Sequence, residues 1–229
     1  MNRSDALVLF DIDGTLMRGA GKQHKQALLD GIRTVTGVSA DFDGVDTAGR
    51  LDRDLIIALL RAKGYSQRRA DKALQRVMME CQSTYTSTVC AVDFSPFVCA
   101  GIRDFVTEVK RRGGVLGLVT GNLTQIGWRK VELAGLREYF SVGAFAEDGR
   151  TRARLARVAA NRAKKQRLVT AGCRITLIGD HANDVAAAKA NGYRSIAVAT
   201  GVTPLDQLQA EHPDYLVPNL TELSVDVVF

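Results

Sequence analysis

The sequence predicts an α/β protein: a Rossmann-like parallel sheet with helices on both faces, three layers in all, and an α-helical cap inserted after the first strand. Three observations predict it. Short apolar runs bounded by turn residues alternate with longer helical patterns, as expected of strands covered on both faces by their crossover helices. The stretch between residues 18 and 95 breaks this alternation and reads as mostly helical. Finally, Asp11, Thr120 and Asp180 all fall at the ends of apolar runs, and ligands of open parallel sheets bind beyond the carboxyl ends of the strands.

In chain order, the first predicted strand is 6–10, ending in DIDGT. Within the insert, the spacing of apolar residues predicts helices over 22–36, 51–63 and 66–88, and Pro96 marks the return to the sheet. A helix over 99–112 then leads to a strand at 115–119 (VLGLV) that ends in TGN. Helices at 124–134 and 152–167 follow, then a strand at 174–178 (RITLI) ending in Gly-Asp. The alanine-rich helix 183–191 stops at Asn191-Gly192, a C-terminal signal. Strands at 194–198 and 214–217 complete the sheet. The expected organisation is a core built from residues 1–17 and 96–229, with residues 18–95 as the cap.

Composition bounds the function. Of the 229 residues 46% are hydrophobic and 24% charged, values of an ordinary globular protein large enough to bury a core. The four cysteines (Cys81, Cys90, Cys99 and Cys173) form no CxxC pair and fit neither a zinc pattern nor a disulfide framework, so reduced thiols and a cytoplasmic location are expected. The apolar run before Asp11 is too short for a signal sequence or a membrane span. The net charge is +6, and nine of the 25 residues from Arg150 to Arg174 are Arg or Lys. No aromatic residue interleaves with them, so they read as a solvated helix face rather than a nucleic-acid site.

The chemistry gathers at the predicted strand ends. Asp11 and Asp13 are two residues apart, so on an extended strand they face one side, and the turn at Gly14 can re-aim the second. One carboxylate can attack phosphorus and split a hydrolysis into two easier steps. The other can protonate a leaving oxygen and then deprotonate water. Two aspartates at a strand–loop junction can equally be turn or cap residues.

The string FDIDGTL resembles the first signature of the haloacid dehalogenase superfamily, whose members are mostly phosphatases. The resemblance implies Asp11 as nucleophile and Asp13 as general acid/base. The family's second signature, a Ser or Thr ending the next core strand, resembles VTGN. Thr120, with the backbone N–H groups of Gly121 and Asn122, would then bind phosphate. Its fourth signature resembles GDHAND. The resemblance implies Mg²⁺ held by Asp11, Asp180 and the backbone carbonyl of Asp13, with Asp184 in support, a hard-oxygen set suited to that ion. The tail from Gly201 to Pro204, with HPDYLVPNLTEL, is similar to the phosphoglycolate phosphatase-like branch.

The third signature departs from the family. Its lysine, often within GKP, is missing, and the corresponding stretch runs from Glu147 to Arg154. Arg150 aligns by the preceding glycine, Arg152 by its spacing to Leu155, and Lys164 or Lys165 is a third choice from the helix. In the cap, the segment from Thr47 to Asp52 resembles the loop that faces the active site in this branch. Arg50 would there meet a substrate anion, or else be a solvated turn residue. Lys22, His24 and Lys25 are expected to face solvent, His181 to sit at the rim of the site, and Trp128 to be core.

Asp13 also chooses among reactions, since dehalogenases and phosphonate-cleaving members of the family lack an acid there. The expected activity is Mg²⁺-dependent hydrolysis of a small, soluble phosphomonoester through an aspartyl phosphate. The alternatives are a phosphosugar mutase and, given the missing lysine, a catalytically weakened binding protein.

Overall fold

In the computed structural model, which describes residues 3–229, strand β1 (Ser4–Phe10) lies inside a six-stranded sheet. Ala6 to Phe10 are all buried, as a continuous apolar run requires when helices cover both faces. The chain then leaves the sheet for three helices, α1 (Lys22–Thr36), α2 (Asp52–Ala62) and α3 (Gln67–Thr88). α1 and α3 pack along each other and α2 lies on α3. Gly37 ends α1 in the left-handed conformation (φ 73°), its N–H closing on the Arg33 carbonyl. Ser66 starts α3 by accepting a side-chain hydrogen bond from the Arg69 N–H.

The chain leaves and re-enters the sheet region side by side. The Arg18 N–H donates to the Phe97 carbonyl at 2.8 Å and the Cys99 N–H to the Leu16 carbonyl at 3.0 Å, with Met17 bridging Asp13 and Val98. From there α4 (Ile102–Arg111), β2 (Val115–Val119), α5 (Thr124–Leu133), β3 (Phe140–Ala144), α6 (Arg152–Lys165), β4 (Val169–Gly179), α7 (Ala182–Ala190), β5 (Arg194–Val198), α8 (Leu205–Ala210) and β6 (Tyr215–Val217) complete the fold. Every strand pairing is parallel and the order is β3-β2-β1-β4-β5-β6. The strand order changes direction at β1, so β2 and β4 flank it. The carboxyl ends of these three central strands meet, as at the ligand-binding crevice of a doubly wound sheet. Phe10 seals the layer beneath, edge-on to Phe105 and Phe140.

Two elements were not among those expected from the sequence, β3 and α8. β3 (FSVGA) is a short edge strand with a serine and a glycine in five residues. The basic stretch forms α6, whose buried face is Leu155, Ala156, Ala159, Ala160 and Ala163. Arg162, though partly exposed, holds Asp148 through two 2.6 Å hydrogen bonds, and Arg152 is buried against the sheet. Among the described residues no helix is long and apolar enough to cross a membrane.

Candidate active site

The carboxyl ends of β1, β2 and β4 carry Asp11, Thr120 and Asp180, all buried. Oxygens of Asp11, Asp180 and Asp184 lie within 4.8 Å of one another. Three carboxylates so close repel one another in a poorly solvated place. Burial first, and then the Asp11 charge, push the Asp180 carboxyl up to about 7. Burial likewise raises Asp184 well above the usual carboxylate range, although Arg152 opposes it.

Local backbone chemistry explains how the acids are aimed. Gly14 turns the chain with φ +92°, and a Cβ there would collide with the Asp180 carboxylate. Thr15 Oγ1 donates to Asp180 Oδ1 at 2.8 Å. His181 caps α7, its Nδ1 accepting from the Asn183 N–H. Asp184 closes the same box by accepting from the His181 N–H. His181 thus lies beside the acids as a helix cap, and it lines the cavity.

Arg152, in the first turn of α6, supplies the positive charge. Its NH1 nitrogen lies 3.0 Å from Asp11 Oδ1 and 3.1 Å from the Val119 carbonyl, and its Nε lies 3.2 Å from Asp184 Oδ1. Burial alone would weaken the guanidinium charge, but Asp11 and Asp184 hold it protonated. Arg150 does not join them. It is exposed and lines two outer clefts with Arg50 and Asp54. Lys164 and Lys165 end the same helix, about 20 Å from its start at the usual rise per residue.

The donor set fits a hard divalent cation. It is all carboxylate oxygen, and the buried Asp184 Oδ1 has no hydrogen bond, only its 3.2 Å ion pair with Arg152 Nε. The side chain of Asp13 is turned elsewhere, toward Lys130 and Asn122.

Thr120 is fully buried, and its Oγ1 accepts from both the backbone N–H (3.3 Å) and the side-chain amide (2.7 Å) of Asn122. With both lone pairs engaged, the hydroxyl proton is what Thr120 can offer a ligand. The expected phosphate cradle therefore differs in one part: the Asn122 N–H is spent on Thr120, while its side chain faces inward to Asp13 and Lys130. Gly121 sits where a Cβ would strike the Arg50 carbonyl, and its own carbonyl accepts from the Asp52 N–H. The loop before α2 thus rests directly on Gly121. Arg50 itself is exposed and bonds the carbonyls of Asp46 (3.3 Å) and Asp54 (3.4 Å), yet it lines the central cavity. That cavity, about 330 Å³, runs from the three acids to Thr47, Lys25 and Val202.

Three polar residues absent from the expected site lie under it. Lys130 is fully buried, its Nζ 2.7 Å from both Asp13 oxygens, 2.7 Å from Asn122 Oδ1 and 3.1 Å from His24 Nδ1. His24, expected to face solvent, is only 9% exposed, and its Nε2 lies 2.8 Å from Asp52 Oδ2. The same Asp52 oxygen accepts from the Leu123 N–H at 2.8 Å. Partial desolvation opposes the charge of Asp13, but Lys130 above all, helped by Asn122, outweighs it and holds the carboxyl below the usual range. Trp128 is partly buried and packs against Phe145.

The chain resembles known proteins in sequence and in fold. Residues 6–192 match the family of haloacid dehalogenase-like hydrolases. The phosphoglycolate phosphatase of Synechococcus elongatus is 26% identical over 227 residues, covering 94% of each chain. Among solved structures, a β-phosphoglucomutase from Clostridium difficile superposes with TM-score 0.68 at 16% identity, covering 97% of this chain and 95% of that one. A hydrolase from Pseudomonas syringae gives 0.66 at 14% identity, covering 95% of each.

Proposed function

Because this chain belongs to the haloacid dehalogenase-like hydrolases, we propose that it is a Mg²⁺-dependent phosphatase of a small phosphomonoester, with Asp11 as nucleophile. One observation carries the reading. Asp11 lies within 3.0 Å of a buried cation, Arg152, and within 4.8 Å of two further acids, under a cavity of small-molecule size.

Asp11, Asp180 and the Asp13 carbonyl would hold Mg²⁺, with Asp184 in support. When bound, the ion supplies charge that lets an anionic nucleophile approach an anionic phosphate. In the first half-reaction an Asp11 oxygen attacks phosphorus, the bond to the leaving oxygen breaks, and Asp13, protonated for this step although Lys130 favours its ionised form at rest, gives that oxygen its proton. In the second half-reaction Asp13 takes a proton from water. The water oxygen attacks phosphorus, and the bond to Asp11 breaks. Inorganic phosphate leaves, and Asp11 and the protonated Asp13 are restored. Thr120 and the Gly121 N–H bind phosphoryl oxygens, and Arg152 offsets charge on Asp11 in place of the family's usual lysine. Its guanidinium is planar and permanently charged, so it can serve Asp11 and Asp184 at once. Helices α1 to α3 act as the cap, bringing Arg50 and Lys25 to the cavity wall. Closure of the cap excludes water while the nucleophile attacks.

The relative from Synechococcus makes 2-phosphoglycolate the first substrate to try. The test measures phosphate release from p-nitrophenyl phosphate, 2-phosphoglycolate and a panel of phosphosugars, with Mg²⁺ or EDTA. Turnover that needs Mg²⁺ and vanishes in Asp11→Asn supports the reading. Metal-independent turnover, or full activity in the mutant, overturns it. Phosphoryl transfer onto a hexose phosphate without net release would favour a mutase instead.

A further inference from the structure

Lys130 has no part in the chemistry described so far, yet it is a fully buried cation, 0% exposed. A buried ammonium is tolerated only when paired. An ammonium has three donors and no acceptor. Here the three point at the Asp13 carboxylate, Asn122 Oδ1 and His24 Nδ1. His24 Nδ1 must therefore present its lone pair, which leaves the ring proton on Nε2 to be donated to Asp52 Oδ2. The result is a buried polar chain from Asp52 and His24 on the inserted helices, through Lys130 on the core, to Asp13 in the cavity.

We propose that Lys130 is a positioning residue: it fixes the orientation of the Asp13 carboxylate toward the leaving oxygen, and His24 with Asp52 holds Lys130 in place. This rests on the phosphatase reading, in which Asp13 is the acid and base. An acid on a turn beyond a strand end has free χ rotation. Asp13 is half-exposed, with a side-chain exposure of 41%. Grip on both of its oxygens by Lys130, and on Oδ2 by Asn122 at 2.7 Å, selects one rotamer. A misplacement of about 1 Å can reduce a rate about 100-fold.

The test compares Lys130→Met with wild type on two probes in the presence of Mg²⁺. p-Nitrophenolate leaves phosphorus without needing a proton, whereas the alkoxide of 2-phosphoglycolate, or of whichever alkyl phosphate the panel ranks first, does need one. The expected result is a fall in kcat/KM of about 100-fold on the alkyl phosphate and less than about 5-fold on p-nitrophenyl phosphate, within the usual worth of general acid catalysis. In an Asp13→Asn background the Lys130 substitution should change nothing further. Equal losses on both probes, or losses that multiply in the double mutant, overturn the proposal and leave a structural role only. His24→Asn guards against misfolding of the first variant, since it removes one acceptor from Lys130 without touching Asp13. It should show the same bias between probes, and an unbiased loss again overturns the proposal. If wild type turns over neither probe, the phosphatase reading fails and takes this inference with it. Wild-type activity lost in Asp11→Asn, with no bias in the Lys130 variant, sinks the inference alone.

Discussion

The guanidinium of Arg152 bridges Asp11 and Asp184, 3.0 Å from an oxygen of one and 3.2 Å from an oxygen of the other. Arg150, two residues earlier, is exposed and lines only the outer clefts. The two substitutions to alanine should therefore differ sharply. Arg152→Ala should reduce kcat for phosphate release about 100-fold or more, comparable with loss of one oxyanion donor. Arg150→Ala should stay within about 2-fold, as expected for an exposed cation outside the cavity.

Metal-free stability should depend on Asp180 in a definite direction. Its folded carboxyl titrates at about 7 against an ordinary 3.8. The folded state thus binds more protons than the unfolded one across that window, and stability falls as pH rises through it. Asp180→Asn removes this effect. In EDTA, differential scanning fluorimetry should find the mutant more stable than wild type at pH 8, by about 5 °C if the gain is one to two kcal/mol. The gap should close toward pH 5. Mg²⁺ should raise the wild-type midpoint and leave the mutant nearly unchanged.

Gly14→Ala should disable the site without unfolding the sheet. A Cβ at φ +92° is strained, and it would push the Asp180 carboxylate aside. The expected outcome is loss of turnover of at least about 100-fold, since misplaced catalytic groups act about that strongly. Circular dichroism should remain that of wild type.

Thr120→Val separates phosphate binding from packing. The residue is fully buried, and its replacement keeps the shape but removes the hydroxyl. It also strips the Asn122 side chain and backbone of a 2.7 Å and a 3.3 Å partner. Activity should fall about 10- to 100-fold, as for loss of a buried donor to charge. Inorganic phosphate should also inhibit the mutant less well than wild type.

The three strands that carry the candidate site were legible because each is an apolar run that ends abruptly in an acid or hydroxyl: Phe10 to Asp11, Val119 to Thr120, Gly179 to Asp180. β3 escaped because Ser141 and Gly143 dilute its apolar run, and its identity as a strand comes from pairing with β2. The Asn122 amide could not be oriented from sequence, since its partners lie up to 109 residues away. The buried polar chain left a trace that could have been read. His24 falls in register with Ala27, Leu28, Gly31 and Ile32, Asp52 with Leu55, Ile56 and Leu59, and Lys130 with Ile126 and Gly127. Each is a charged or titratable residue on the apolar stripe of its helix, where a solvated side chain has no place. No spacing rule says that three such residues on three helices meet. Only packing does.

The paired crossing at Leu16–Arg18 and Phe97–Cys99 also bears on how such a molecule can diversify. Viewed as a polymer, everything between those crossings is one loop whose ends are pinned together. The entropy of closing a loop grows only with the logarithm of its length, about 0.6 kcal/mol for each doubling. The strands that carry Asp11, Thr120 and Asp180 are therefore almost indifferent to how long that loop is or what it contains. On the function proposed above, the inserted helices can vary while the strands beneath them stay fixed, provided a varied insert still supplies a partner for the buried ammonium of Lys130.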